Sequence, residues 1–370
     1  MKRLRKIISM LMVAGIMTSV LAGCASKAPA EEKKTYSLTV SGIGGSLNYI
    51  PVYIAEQEGW LKEANLEIEE IMFTNGPVQM ESLSSNSWDL GFTGVGGVLS
   101  GVIGYDAMVV GASNTDDGTQ YVFARNDSEI VKAGTGKSEI SDKILGDAES
   151  WKGKEILCNT GTVLQYLLIK TLSGYGLKPD DVTFIAMDAP TAYSAFLAGQ
   201  GDVAVLTGSS GTFNMLKDSA NYTAVSSGTW ADTGLMCNFV ANKNSYADAE
   251  KYEAMKILLG VYFKSLDWMK ANPDKAAEYM VDFSEENGIK MDAETAKVYM
   301  QADKYYTLEE AYQMITTKAE NSEVTVMEKK LADVLDFFIA YGKYKSTDAE
   351  VFKGNADAKL MKDVYEASKK

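Results

Sequence analysis

The chain has 370 residues, with 36 lysines and arginines against 50 aspartates and glutamates and no histidine, for a formal net charge of −14. So acidic a balance argues against nucleic acid or an anionic membrane face as the partner. Without histidine the usual zinc ligand and the commonest acid–base group near neutral pH are gone, so histidine-dependent triads and dyads are excluded and neither a metal nor a cofactor is expected.

The first element reads as a secretory signal. Lys2, Arg3, Arg5 and Lys6 form a basic head, Ile7 to Ala22 carry no charge, and small residues follow. About 16 apolar residues fall short of the roughly 20 that a spanning helix needs. Leu21-Ala22-Gly23-Cys24 resembles the bacterial lipobox, which implies that residues 1–23 are removed and that Cys24 carries a lipid. The competing reading is an ordinary signal peptide with an incidental cysteine. A glyceryl lipid brings several acyl chains, enough for stable anchoring, so the expected location is the outer, extracytoplasmic face of the cell membrane. Residues 24–35 are small, charged and aperiodic, and read as a tether. Removing residues 1–23 takes four of the 36 basic residues and none of the acidic ones, which moves the net charge to −18. Cys158 and Cys237 are then the remaining side-chain thiols. They read as small buried hydrophobes or as a pair, and two cysteines in a chain this long make no disulfide scaffold.

The stretches YSLTVSG (36–42), LEIEEIMF (66–73), WDLGFTG (88–94) and AMVVGAS (107–113) read as strands, and so do KEILCNTG (154–161), DVTFIAMD (181–188) and DVAVLTG (202–208). Amphipathic stretches at 50–64 and 163–176 read as helices. Strands alternating with such helices predict βαβ units and a mostly parallel sheet. One pattern occurs twice. A Gly-Ser or Gly-Thr turn, a helix, a glycine stop and a strand lead to Asn75-Gly76-Pro77 in the first copy and Asp188-Ala189-Pro190 in the second. Pro77 precedes Asp89 by the interval that separates Pro190 from Asp202, and both aspartates open strands ending in Thr-Gly, at Thr93-Gly94 and Thr207-Gly208. The duplication predicts two similar α/β lobes. Residues 246–369 are helical by pattern, with a break at Asn272-Pro273. This section is expected to brace the first lobe and to carry no chemistry.

Ligands bind beyond the carboxyl ends of the strands in open α/β sheets. Here those ends are the repeated turns, which bring hydroxyls, amides and free backbone N–H groups at helix starts. The expected ligand-binding residues are Ser46, Asn48, Tyr49, Asn75, Thr93, Gly94, Gly161, Thr162, Tyr166, Asp188, Thr207 and Gly208, facing one another across a cleft. Helix capping alone would also explain any single turn. Tyr193, Trp230 and Asp232 are further candidates. Asp116 and Asp117 follow a strand end and could meet a ligand amine or form a solvated turn. Arg125, the only arginine after the signal, could clamp an anion or sit at the surface or hinge.

GTVLQYLL (161–168) followed by YGLKPDDVTFIAMDAPTAYSAFLAGQGDVAV (175–205) resembles the second lobe of ABC-transporter solute-binding proteins of the nitrate, sulfonate, taurine and thiamine-pyrimidine-precursor type. Gly161-Thr162, Tyr166, Gly176-Leu177, Asp181-Val182 and Gly199-Gln200-Gly201-Asp202-Val203 stand at the family's positions, with Gly-Thr in place of the usual Gly-Ser. AEQEGWLKEANLEIE (55–69) and MKANPDKAAEYM (269–280) are similar to its first helix and second strand and to its C-terminal helices, so the likeness spans residues 36–345. It implies a type II periplasmic-binding-protein fold, α/β and two-lobed, each lobe a mostly parallel sheet flanked by helices. Lobe one would cover 36–125, lobe two 126–225, and 226–370 would return to lobe one and add the C-terminal helices. The stretch 127–150 is longer than the family's inter-lobe passage.

The implied function is that of a monomeric, non-catalytic receptor. It would close about crossovers near 124–128 and 226–242 on a small organic solute and deliver it to an ABC importer permease. The solute would be sulfonate-, taurine- or nitrate-like, or pyrimidine-precursor-like. An enzyme on the same scaffold, in pyrimidine or naphthoate synthesis, and a sensory receptor partnering a membrane kinase stand as alternatives.

Overall fold

The computed structural model describes residues 34–208 and 211–369. The signal segment, Cys24 and most of the tether lie outside them. Among the described residues the strands are β1 (Tyr36–Ile43), β2 (Leu66–Phe73), β3 (Leu90–Gly94), β4 (Ala107–Thr115), β5 (Tyr121–Arg125), β6 (Glu155–Cys158), β7 (Thr183–Ala186), β8 (Val203–Leu206), β9 (Tyr222–Ser227) and β10 (Met236–Asn242). They form two five-stranded sheets, in the orders β2-β1-β3-β10-β4 and β7-β6-β8-β5-β9. β1 runs parallel to β2 and β3, and β10 antiparallel to β3 and β4. The second sheet repeats this: β6 is parallel to β7 and β8, and β5 antiparallel to β8 and β9. Each sheet therefore takes its one reversed strand from outside its own βαβ run.

That exchange corrects the lobe boundary. Tyr121–Arg125 belongs to the second sheet, not to lobe one. The chain crosses between sheets at 116–120 and 228–235 rather than near 124–128 and across 226–242. Val122, Phe123 and Ala124 are each 0% exposed, because β5 lies between two strands and is covered on both faces. A short, mostly apolar strand of this kind reads the same in either lobe, and pairing partners far along the chain decide its place.

The duplicated aspartates do the same work twice. Asp89 accepts from Thr39 N through Oδ2 at 2.7 Å and donates its own N–H to Thr39 O at 2.8 Å. Asp202 treats Glu155 alike, with both bonds at 2.8 Å. Each aspartate thereby fixes the start of its strand to the neighbouring parallel strand. Asn75 and Asp188 also correspond: each caps a helix, accepting from Val78 N at 3.0 Å and from Thr191 N at 2.8 Å, with proline in the first turn.

The helix expected over 50–64 breaks at Gly59, whose φ is 77°, into Ile50–Gln57 and Trp60–Glu63. Glycine takes the left-handed conformation without steric cost. The C-terminal helices Ala249–Ala271 and Pro273–Glu286 meet at the expected Asn272-Pro273 break. Their Leu258, Tyr262, Met280 and Phe283 share one apolar core with Phe92 and Phe239 of the first sheet. The second sheet carries separate cores on its two faces. Cys158, in β6, and Cys237, in β10, are both free and buried, so the pair does not form; Cys158 packs in an apolar core as the hydrophobe reading expects, whereas Cys237 lies against the Asp116 carboxyl. No helix among the described residues is long and apolar enough to cross a membrane.

Candidate binding cavity

A cavity of about 290 Å³ opens where the carboxyl ends of the parallel strands of both sheets converge. From the first lobe its wall takes residues just after β1, β2 and β3; from the second lobe it takes residues just after β6, β7 and β8. Backbone groups at these ends are not consumed by the ladder, which is why sites gather there.

Of the residues expected from sequence, Ser46, Asn48, Asn75, Gly94, Thr162 and Thr207 line this cavity. Tyr49, Thr93, Gly161, Tyr166, Asp188 and Gly208 are not among its lining residues. Tyr49 is turned into the core, stacked on Phe283, and its hydroxyl donates to Glu70 at 2.6 Å. A buried tyrosine needs such a partner. Gly161, at φ 83°, makes the turn behind the wall and donates to Gln165 Oε1 at 2.7 Å. Tyr166 packs on Phe337 and Phe338. Asp188 is spent on its helix cap, and Gly208 lies under the Tyr299 ring. Thr93 is fully buried with no hydrogen-bond partner for Oγ1 among the described residues. That oxygen is the nearest atom to a methyl built on either Gly76 or Gly97, and both glycines stand in the cavity wall.

The helix after the first turn starts at Ile50, with no side-chain cap. Ser46 Oγ instead donates to Asn48 Oδ1 at 2.6 Å. Thr162 does cap its helix, accepting from Leu164 N at 3.2 Å while donating to Asn159 O at 2.7 Å.

Asp116 lines the cavity and Asp117 does not. Burial, then the charge of Asp303, hold the Asp116 carboxyl well above the usual carboxylate range. Asp303 is 5% exposed and also lines the cavity. Its Oδ1 accepts from Thr115 Oγ1 at 3.0 Å, Asp117 N at 3.1 Å and Gly118 N at 2.9 Å. These bonds favour the ionised form, yet burial still raises its pKa. Asp303 thus ties the end of the helix Ala293–Ala302 to the first crossover.

The other candidates lie elsewhere. The Arg125 guanidinium donates to the carbonyls of Gly201 (2.7 Å), Phe196 (3.0 Å) and Gln200 (3.0 Å) and lies over the Phe196 ring. It satisfies carbonyls at the end of the helix Ala189–Leu197 and does not line the cavity. Trp230 packs edge-on to Tyr121, Asp232 accepts from Lys170 through its carbonyl, and Tyr193 packs beneath Gly211. None of these three is in the wall.

Asn287, Gly288, Ile289, Tyr299 and Asp303 in the wall come from the C-terminal section, which was expected to carry no chemistry. In sequence they are ordinary residues of amphipathic helices and their joints, with no motif to mark them. Asn114 and Asn159 were also missed, although each stands at a strand end where an amide has reason to face a ligand.

Comparison with known proteins agrees with this geometry. The family model described as NMT1/THI5 like matches residues 138–276. A protein of Brachyspira hyodysenteriae, provisionally named an ABC transporter periplasmic binding protein, is 24% identical over 361 residues, covering 98% of this chain and 99% of its own. A provisionally named binding protein of Brucella abortus is 27% identical over 294 residues, 79% of this chain and 82% of its own. Among solved structures, the alkanesulfonate-binding protein SsuA of Xanthomonas axonopodis pv. citri, bound to MOPS, superposes with a TM-score of 0.65 at 17% identity, over 88% of this chain and 99% of that one. The periplasmic nitrate-binding protein NrtA of Synechocystis gives 0.67 at 12% identity, over 90% and 89%. Residues 138–276 are therefore NMT1/THI5-like in sequence, and the chain as a whole has the periplasmic-binding-protein fold.

Proposed function

We propose that this chain is an extracytoplasmic solute receptor. It takes a small organic solute into the cavity between its two sheets and hands it to the permease of an ABC importer, without chemistry on the solute. The observation that carries the reading is the cavity itself, walled by the strand ends of both lobes and by the C-terminal section. The names of the curated relatives support it. Two crossovers, 116–120 and 228–235, are short enough to act as hinges. A solute stabilises the closed form by whatever contacts it makes to both lobes at once. The lipobox-like LAGC supports anchoring through Cys24 at the outer face of the membrane. The named relatives of this fold include sulfonate and nitrate binders, and pyrimidine precursors belong to the same candidate set.

Thermal denaturation of the purified full chain in detergent, with solutes from each of these classes, tests the reading. A solute at about 100 times its Kd adds roughly 2.7 kcal/mol to stability, and the same solute should reduce the radius of gyration. A chain that neither gains stability nor contracts with any solute, and whose deletion leaves uptake unchanged, overturns the proposal.

A further inference from the structure

We propose that Asp303 is the positioning residue of lobe closure, holding the first crossover in the geometry that brings the two lobes together; this rests on the receptor reading above. The residue stands in two places at once. It lines the cavity, and its Oδ1 takes the Thr115 hydroxyl, the Asp117 N–H and the Gly118 N–H, at the end of β4 and within the crossover 116–120.

The two crossovers are not free linkers. Asp116 N donates to Leu235 O at 2.9 Å and Gly228 N to Gln120 O at 3.0 Å, so each crossover is bonded to the other. A methyl on Gly228 would run into the backbone of Asp117, and one on Gly118 into the Ala302 carbonyl. Asp117 and Gly118 are thus packed against both the second crossover and the end of the helix Ala293–Ala302. The chain just after that helix is joined to the end of β4: Thr115 N donates to Lys304 O and Tyr306 N to Ser113 O, both at 2.9 Å. The Asp303 carboxylate carries this seam past the strand and onto the crossover. The Asp117 carboxyl also faces the Asp117 and Gly118 N–H groups, but from within the crossover, so it ties them to no other element.

The same helix reaches lobe two at its other end. Lys217 donates to Thr295 Oγ1 at 2.6 Å, and Asn214 Nδ2 to Lys290 O at 3.3 Å. Between the two ends Tyr299 lines the cavity and donates to Gly45 O of lobe one at 3.0 Å. A helix of 10 residues is about 15 Å long, so a small rotation at the Asp303 end becomes a larger displacement where Lys217 grips. Rotating the lobes apart turns the peptide planes of the crossover, because a hinge absorbs its motion in the φ and ψ of a few residues. A fixed acceptor then loses alignment with the Asp117 and Gly118 N–H groups, and hydrogen bonds weaken steeply away from linearity. The clamp therefore favours the closed form.

The test reads lobe separation in the full chain in detergent, by electron–electron distance measurement between spin labels on p-acetylphenylalanine replacing Val78 and Thr191, which spares the native thiols. Both residues are exposed and stand in the first turns of equivalent helices, Gly76–Glu81 on lobe one and Ala189–Leu197 on lobe two. Without solute, Asp303→Ala should move the distances to longer values and speed hydrogen exchange across 115–120 about tenfold or more. Asp303→Asn keeps an acceptor oxygen and should stay near the wild type. Thr115→Val removes one donor and should give an intermediate shift, and it decides the matter if Asp303→Ala does not fold. The inference is overturned if the alanine and valine variants keep the wild-type distances, if Asp303→Asn opens as far as Asp303→Ala, or if Asp117→Ala does so. No solute enters these measurements, so the two readings fail separately. A working clamp in a chain that fails the solute and uptake tests overturns the receptor reading alone, and unchanged distances in a chain that binds a solute overturn this inference alone.

Discussion

The ring of Tyr166 meets that of Phe337 edge to face, with centroids 4.5 Å apart and planes at 65°. Tyr166 lies on the helix Val163–Ser173, next to the second sheet, and Phe337 on the C-terminal helix Val326–Ala340. The contact joins the two lobes beside the cavity, and it is not alone. Lys217 pairs with Asp292 at 3.2 Å and donates to Thr295 Oγ1 at 2.6 Å. Contacts of this kind exist only while the lobes are together, so they set how much of the closing free energy the protein supplies itself.

Removing the ring should therefore weaken solute binding without touching the solute. An aromatic pair contributes about 0.5–1.5 kcal/mol beyond its buried area, so Tyr166→Ala should lower affinity about two- to tenfold, and Tyr166→Phe should restore it. Titration of both variants with one solute, together with the radius of gyration of the unliganded chain, checks this. Equal affinity in the alanine variant would show that the contact does not favour closure.

Gly96 gives a sharper obstruction. A methyl there would stand 2.9 Å from Thr162 Cα and 3.0 Å from the Gly161 carbonyl oxygen, and neither is a side chain able to move aside. Gly96 lies in the helix Val95–Gly104, where alanine is the better helix former by about 1 kcal/mol. Gly96→Ala should keep or raise the melting temperature while lowering solute affinity about tenfold or more. Wild-type affinity in this variant would mean that the lobes need not approach so closely.

Asp116 and Asp303 predict a pH dependence of opposite sign to the usual acid denaturation. Their folded pKa values lie above the unfolded ones, so these two groups hold more protons in the folded chain and their contribution to stability falls as pH rises from about 4 through neutrality. Cys237 and Tyr299, also in the wall, are held neutral by burial and do not offset this. Asp117 adds in the same direction, opposed in part by Lys330. Without solute, Asp116→Asn should be more stable than the wild type at pH 8 by roughly 1–3 kcal/mol, the scale of one unsatisfied buried polar group. The advantage should shrink at pH 5. Urea midpoints at both pH values decide it, and an advantage that grows on acidification would contradict the assignment.

The two hydroxyls at the repeated turns should behave differently. Thr162 caps its helix, so Thr162→Ala should cost about 1 kcal/mol of stability whether or not solute is present. The Ser46 hydroxyl donates to Asn48 Oδ1 and caps no helix, and Ser46 lines the cavity, so Ser46→Ala should leave stability near wild type and act on affinity. Denaturation and titration on the same two proteins separate the roles.

The sequence by itself determined what short-range chemistry can specify. Asn75 and Asp188 cap the helix that follows them, and Asp89 and Asp202 each close a strand start, so the twofold repeat was legible from residue type and spacing. The helix break at Asn272-Pro273 was legible for the same reason. Only the tertiary structure decided the rest. Tyr49 and Tyr166 are similar aromatics near helix starts, yet one is buried against Glu70 and Phe283 and the other spans the lobes to Phe337. Tyr121–Arg125 could pair in either sheet until the partners β8 and β9 were in place. Asp303 ends a helix that looks like any solvated amphipathic stretch, and its charge matters only because folding brings it beside Asp116 and away from water. Local propensity fixes which bonds a residue can make with its neighbours along the chain; the electrostatics of a cavity depend on distance through space and on the loss of solvent, and neither is written in spacing.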